Sequence, residues 1–306
     1  MIDLLKPFIA RRGAAVLDGG LATELEARGL DLDDPLWSSR ALIVAPEVVA
    51  AVHRDYLDAG ADIIATATYQ ATLPAVSARV LLSGVTLACR ERDAFWRQWA
   101  PDGARARPLV AASIGSYGAF LADGAEYRGD YGLDVEALAA WHRKRLRLLE
   151  TSGADLLAFE TIPSLVEAEA IVRLLAESDG PPAWLSFQAK SAEHLADGAP
   201  VEAAAAISDR CPRIVAVGIN CVAPALVAPL LARFAAATEK PLAAYPNRGD
   251  AWDAASRNWI ASGTKLAFDG LVREWRAAGA RLIGGCCRTT PADIRAIVAN
   301  LDLTPF

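Results

Sequence analysis

Ile214-Val-Ala-Val-Gly-Ile-Asn-Cys221 is an apolar, β-branched run that ends abruptly in an amide and a thiol. A parallel strand covered on both faces reads as a continuous hydrophobic run, so polar groups at its far end mark where it surfaces. The same grammar recurs along the chain, in strand-length runs at 15–18, 62–69, 109–115, 155–160, 184–188, 214–221, 242–246 and 281–286. Between them lie amphipathic stretches, such as 47–59, 135–151, 165–177 and 265–278, that read as helices. Ser164-Leu-Val-Glu167 has the form of a capping box, and Thr290-Pro291-Ala-Asp293 joins an N-cap to a proline at the first helical position. Eight such units in a chain of 306 residues predict an α/β fold, a single (β/α)8 TIM barrel spanning 1–306. A doubly wound open sheet shares this alternation and stays open as a second architecture. Two connections depart from the pattern: 70–108 is long and irregular, and 117–133 reads as a glycine-rich loop.

Composition narrows the function classes. A formal net charge of -6, without a dense Lys/Arg run, argues against a nucleic-acid surface. No stretch approaches the roughly 18 uninterrupted apolar residues of a membrane span. Residues 1–15 lack the apolar core and cleavage site of a secretory signal. Five cysteines, an odd number in a long chain, argue against a disulfide framework and fit a reducing cytoplasm. The expected partners are small molecules, with no nucleic acid, no membrane and no obligate protein partner.

In a (β/α)8 barrel the C-terminal strand ends and the loops after them carry the chemistry. Here those ends hold Asp18, Thr66, Thr68, Tyr69, Ser113, Glu160, Gln188, Asn220, Cys221, Asn247, Cys286 and Cys287. Three thiolates converging from Cys221, Cys286 and Cys287 would bind zinc and leave a fourth position open, as catalytic zinc requires. Three small core residues, or a closed zinc site with a fourth protein ligand, are the other readings of that spacing. Neighbouring side chains on a regular strand point to opposite faces, so Cys286 and Cys287 can share a metal only where the strand breaks. Gly284-Gly285 would permit such a break. Cys89 and Cys211 read as packing residues, and His53, His142 and His194 show no paired metal spacing.

Six motifs occur in order: Asp18-Gly-Gly, Ala61-Asp-Ile-Ile-Ala-Thr-Ala-Thr-Tyr-Gln70, Phe159-Glu-Thr161, Gly218-Ile-Asn-Cys221, Tyr245-Pro-Asn247 and Gly284-Gly-Cys-Cys-Arg-Thr-Thr-Pro291. Together they resemble the homocysteine S-methyltransferase family, most closely its short, S-methylmethionine-using branch, from about Val16 to Ile297. The resemblance implies a zinc-dependent barrel that methylates homocysteine to methionine, with Cys221, Cys286 and Cys287 as metal ligands and catalytic residues. It also implies that Asp18 and Glu160 contact homocysteine and that Trp37 lies near the donor. A sulfonium donor should favour aromatic faces, for which Tyr69, Tyr127 and Tyr131 are further candidates. Asn220 and Asn247 are candidates to orient the site through their amides, or are ordinary turn residues. S-methylmethionine is the expected donor, with S-adenosylmethionine also admitted. Betaine is disfavoured, because the chain stops at Phe306 without the extension of the betaine-using branch. A seleno-amino-acid acceptor and a non-catalytic homocysteine- or zinc-binding protein remain as alternatives. Arg248 departs from the family pattern, where a small residue is expected; it would contact a substrate carboxylate or point into solvent.

Overall fold

The computed structural model describes residues 4–34, 36–73, 75–99, 105–249, 251–253, 258–260 and 268–302. Its strands are β1 (Ala15–Val16), β2 (Ile63–Ala65), β3 (Leu109–Gly115), β4 (Leu156–Ile162), β5 (Ala183–Phe187), β6 (Ile214–Asn220), β7 (Leu242–Tyr245), β8 (Ala251–Asp253), β9 (Asn258–Ile260) and β10 (Ala280–Ile283). Eight of them form one parallel sheet in the order β1-β10-β7-β6-β5-β4-β3-β2. A parallel bridge between Leu17 and Ile63 joins the two ends, with Asp62 N donating to Val16 O at 2.7 Å and Asp18 N to Ile63 O at 3.1 Å. The sheet is therefore a barrel, and the open doubly wound alternative falls. A helix follows each of its strands, from Pro46–Ala59 after β1 to Pro291–Asp302 after β10. The antiparallel β8–β9 hairpin is inserted after β7 and has no counterpart in the sequence pattern.

The period of two along each strand sorts the core into two layers. Leu109, Ala111, Leu156, Ala158, Trp184, Ala216, Ala243 and Leu282 belong to an inner cluster. Their alternates Val110, Leu157, Phe159, Leu185, Val217, Ala244 and Ile283 pack outward against the helices. Leu5 and Phe8, from the segment around the Lys6–Arg12 helix, join the inner cluster and so plug the N-terminal end of the barrel. Following the inward parity toward the other end, the side chains turn polar: Ser113, Glu160, Ser186, Asn220, and the hydroxyl of Tyr245. That switch creates the floor of a site.

Local chemistry explains where the expected elements shift. The run at 62–69 supplies only three strand residues, because Thr66 and Thr68 divert the chain. The Ser113 N–H donates to Thr66 Oγ1 at 3.0 Å, and the Thr68 hydroxyl donates to Ser113 O at 2.7 Å. Within 70–108 the chain forms a 22-residue helix, Ala78–Trp99. The segment 117–133 is not a plain loop: Ser116 caps a short helix, Tyr117–Leu121, accepting from Ala119 N at 3.2 Å, and a single 3-10 turn, Ala125–Tyr127, follows. Ser164 caps its helix as expected, accepting from Glu167 N at 3.3 Å. Asp293 accepts from Thr290 N at 2.8 Å at the start of the last helix. The first residues of the expected 265–278 helix lie outside the described residues, which show it at Phe268–Ala277. Among the described residues, no helix is long and apolar enough to cross a membrane.

Candidate active site and metal centre

Cys221 directly follows β6 and adopts φ 54°, a left-handed conformation that ends the strand. Its N–H is held by Tyr245 O at 3.2 Å, and its carbonyl accepts from Gln188 Nε2 at 3.3 Å. Across β7 from this strand, β10 stops at Ile283, so the double-glycine step frees Cys286 and Cys287 from strand alternation. Thr289 clasps the turn: its hydroxyl donates to Cys286 O at 2.6 Å. A Cβ on Gly285 would lie 2.2 Å from that hydroxyl oxygen, so only glycine fits. The three sulfurs consequently lie within 4.8 Å of one another, with Cys221 and Cys287 at 3.7 Å.

The Tyr127 hydroxyl meets Cys221 Sγ at 3.4 Å. Hydrogen bonds from Cys286, Cys287 and Tyr127 push the Cys221 thiol well below its ordinary range. Hydrogen bonding to Cys221 pushes Cys286 and Cys287 well above it, and burial and then the Cys221 charge add to this. Three clustered sulfurs, one buried and two half-buried, that share protons in this way can ionise together only around a cation. A set of three thiolates is the donor chemistry of a soft, four-coordinate metal, and all three residues line an open cavity. The residues fit such a centre.

That cavity, about 670 Å³, opens at the C-terminal strand ends. Among the described residues lining it, eight are acidic (Asp18, Glu26, Asp31, Asp33, Asp34, Asp123, Glu126 and Glu160) against a single base, Arg288. Asp18 Oδ2 accepts from Ala65 N at 2.8 Å; burial, then the neighbouring Glu160 charge, raise its carboxyl well above the usual range. Burial likewise lifts Glu160 to about 7, against hydrogen bonds from Ser113 and Tyr245 that lower it. Among the described residues neither acid has an ion-pair partner, so the pair is set to receive a cation from outside the chain.

Trp37 and Tyr69 also line the cavity, their rings edge-to-face at 6.4 Å. Asn220 Oδ1 accepts from Thr161 N at 2.8 Å, while its Nδ2 donates to Thr161 Oγ1 at 2.8 Å and approaches Cys286 Sγ at 3.9 Å. It thus ties β4 to the sulfur cluster. Asn247, by contrast, is not among the lining residues; its Oδ1 accepts from Gly249 N at 2.9 Å, the bond of a turn residue. Arg248 also stands off the cavity lining, with its guanidinium 3.7 Å from Asp293. Tyr131 points behind the site to Glu167, a fully buried acid that also accepts from Tyr117 N and faces His142 Nε2, both at 2.7 Å. His142 therefore serves this buried network rather than a metal.

Sequence reading missed Glu126, Arg288 and Thr161 at the cavity wall. No periodicity marks them, but backbone strain marks Thr161 and Arg288. All five described non-glycine residues with positive φ, namely Trp37, Ala122, Thr161, Cys221 and Arg288, line this one cavity. Strain held by surrounding structure is characteristic of ligand sites.

Comparisons with known proteins identify the family. A family model described as homocysteine S-methyltransferase matches residues 15–301. The chain is 46% identical to homocysteine S-methyltransferase 4 of Zea mays, over 93% of this chain and 88% of that protein. It is 44% identical to a selenocysteine Se-methyltransferase of Brassica oleracea var. italica, over 94% and 89%. Among solved structures it resembles the metallated form of the homocysteine methyltransferase MmuM from Escherichia coli, with 42% identity, a TM-score of 0.85, and coverage of 96% of this chain and 99% of that one.

Proposed function

Because the chain belongs to the homocysteine S-methyltransferase family, we propose that it moves a methyl group from a sulfonium donor to the thiol of homocysteine, giving methionine. S-methylmethionine is the preferred donor in this reading, and S-adenosylmethionine the second. The observation that carries it is the meeting, in one acidic cavity, of a three-sulfur cluster with two buried acids that have no counter-ion among the described residues. Zinc is the metal this reading assigns to Cys221, Cys286 and Cys287, and when bound it supplies the deprotonation of the acceptor thiol. Asp18 and Glu160 hold the ammonium group of homocysteine and so aim its sulfur. Trp37 and Tyr69 offer aromatic faces to the donor cation, worth about 0.5–2 kcal/mol. Asn220 fixes Thr161 and the Cys286 edge. In the transfer the donor's sulfur–methyl bond breaks, its electron pair stays on that sulfur, and the acceptor sulfur forms the new bond. The leaving group is a neutral thioether, so no general acid is required, and placing two substrates in one cavity is a main contribution. We read the chain as one barrel domain working in a reducing cytoplasm, where its free cysteines stay reduced.

The test is methionine formation from homocysteine by zinc-loaded protein, run in parallel with S-methylmethionine, S-adenosylmethionine and betaine. Turnover with a sulfonium, lost in Cys287→Ala while the fold survives, is the expected outcome; an active metal-free protein would overturn the mechanism. The similarity to a selenocysteine methyltransferase supports a second acceptor reading, since a soft selenolate suits the same sulfur-ligated centre. Selenocysteine assayed beside homocysteine decides between them.

A further inference from the structure

We propose that Glu126 binds the α-ammonium group of the methyl donor and so restricts the enzyme to amino-acid sulfoniums; this rests on the sulfonium-donor reading above. Glu126 sits on the 3-10 turn Ala125–Tyr127 and lines the cavity. Its Oε2 is buried with no hydrogen-bond partner, and no ion pair among the described residues engages it. A carboxylate oxygen enclosed without a partner beside a cavity is costly unless a ligand completes it.

The turn that carries it is fixed from several sides. Ala122 and Gly124, at φ 55° and 81°, lead into it in left-handed conformations. The Tyr117–Leu121 helix packs so closely that a Cβ on Gly118 would lie 2.5 Å from Glu126 N. The next residue, Tyr127, reaches Cys221 Sγ at 3.4 Å. One rigid turn therefore sends a phenol to the sulfur cluster and a carboxylate into the cavity.

Which cation it receives follows from charge and neighbourhood. Asp18 and Glu160 act on each other and form one pair, whereas the helix packed against the Glu126 turn is tied to the Tyr69 segment, Gln70 Nε2 donating to Ala119 O at 2.9 Å, and Tyr69 is the ring that meets Trp37. Glu126 thus belongs to the donor's side. The sulfonium loses its charge as the methyl leaves, so an anion aimed at it would stabilise the ground state more than the transition state. The donor's ammonium keeps its charge throughout, and an anion placed there helps binding without opposing the reaction. Betaine's quaternary nitrogen has no N–H to offer such a carboxylate.

Glu126→Gln is near-isosteric, and unchanged homocysteine affinity would show that its fold and acceptor site are intact. The measurement is equilibrium binding of two donors, without acceptor, to wild-type and variant protein: S-methylmethionine, and dimethylsulfoniopropionate, a sulfonium without an ammonium group. The expected result is a loss of about tenfold or more for S-methylmethionine and little change for dimethylsulfoniopropionate. Equal S-methylmethionine affinity in the two proteins, or equal losses for both sulfoniums, would overturn the assignment. Wild-type turnover of S-methylmethionine beside either of those results would leave the proposed reaction standing. Wild-type protein that binds neither sulfonium would overturn both.

Discussion

At the N-terminal end of the barrel Asp62, 2% exposed, lies 3.6 Å from Arg12 and 3.7 Å from Arg105, and accepts the Val16 N–H at 3.0 Å. Asp155 repeats the device two strands on, paired with Arg92 at 2.5 Å and accepting Val110 N at 2.8 Å. At the C-terminal end Asp18 and Glu160 are 8% and 9% exposed, yet no described residue pairs with either. The two ends bury the same kind of group and differ in where its counter-charge comes from. Below, the chain supplies its own arginines, and the acids close strand starts. Above, the charge is left for a substrate. Burial alone does not mark a functional acid; burial without an internal cation does.

This contrast can be broken by swapping which end is mutated. Asp62→Ala should have the largest effect on stability, a loss of about 3 kcal/mol, because it removes the buried counter-charge beside Arg12 and Arg105 and the acceptor of the Val16 N–H. Denaturant unfolding would show it, with substrate KM values unchanged; a shifted KM would dissolve the distinction between the ends. Asp18→Asn should do the reverse. It keeps an acceptor for Ala65 N and removes a buried charge, so stability should hold or rise while KM for homocysteine increases about tenfold or more. An unchanged KM would remove Asp18 from recognition.

A smaller effect sharpens the comparison through pH. In the metal-free protein Glu160 is raised to about 7 by burial, above its unfolded value near 4.3. The folded state then binds more protons than the unfolded one between those values, so this group's contribution to stability falls as pH rises through that window. Thermal midpoints from pH 5 to pH 8 should decline more in wild-type protein than in Glu160→Gln. Parallel profiles would mean that Glu160 ionises as an ordinary surface acid.

The legibility of the site followed the same division. Asp18, Glu160, Asn220 and the three cysteines stand where an apolar run meets its end, a signal visible in one dimension. Trp37 and Tyr69 were reachable because a cationic donor calls for aromatic faces, and both line the cavity. Asn247 carried the same strand-end signal but turns to its own loop, bonding Gly249 N rather than the cavity. Glu126 and Arg288 sit on turns whose left-handed neighbours or own φ aim them inward, and a turn's aim is not written in residue type. The barrel plug formed by Leu5 and Phe8 was likewise invisible, since seven helical residues at 6–12 say nothing about which end of a barrel they will cover.

The sequence by itself determined the strand–helix alternation, the polar ends of the strands and the identity of the metal-capable thiols, because periodicity and composition act locally. Tertiary structure decided the rest. Pairing of β6 and β10 on either side of β7 brought Cys221 within 3.7 Å of a sulfur 66 residues away, and closure of β1 onto β2 set the strand ends in a ring. Only that closure could leave Asp18 and Glu160 facing a common cavity while giving Asp62 its arginines, since pairing between distant residues depends on the three-dimensional path of the chain.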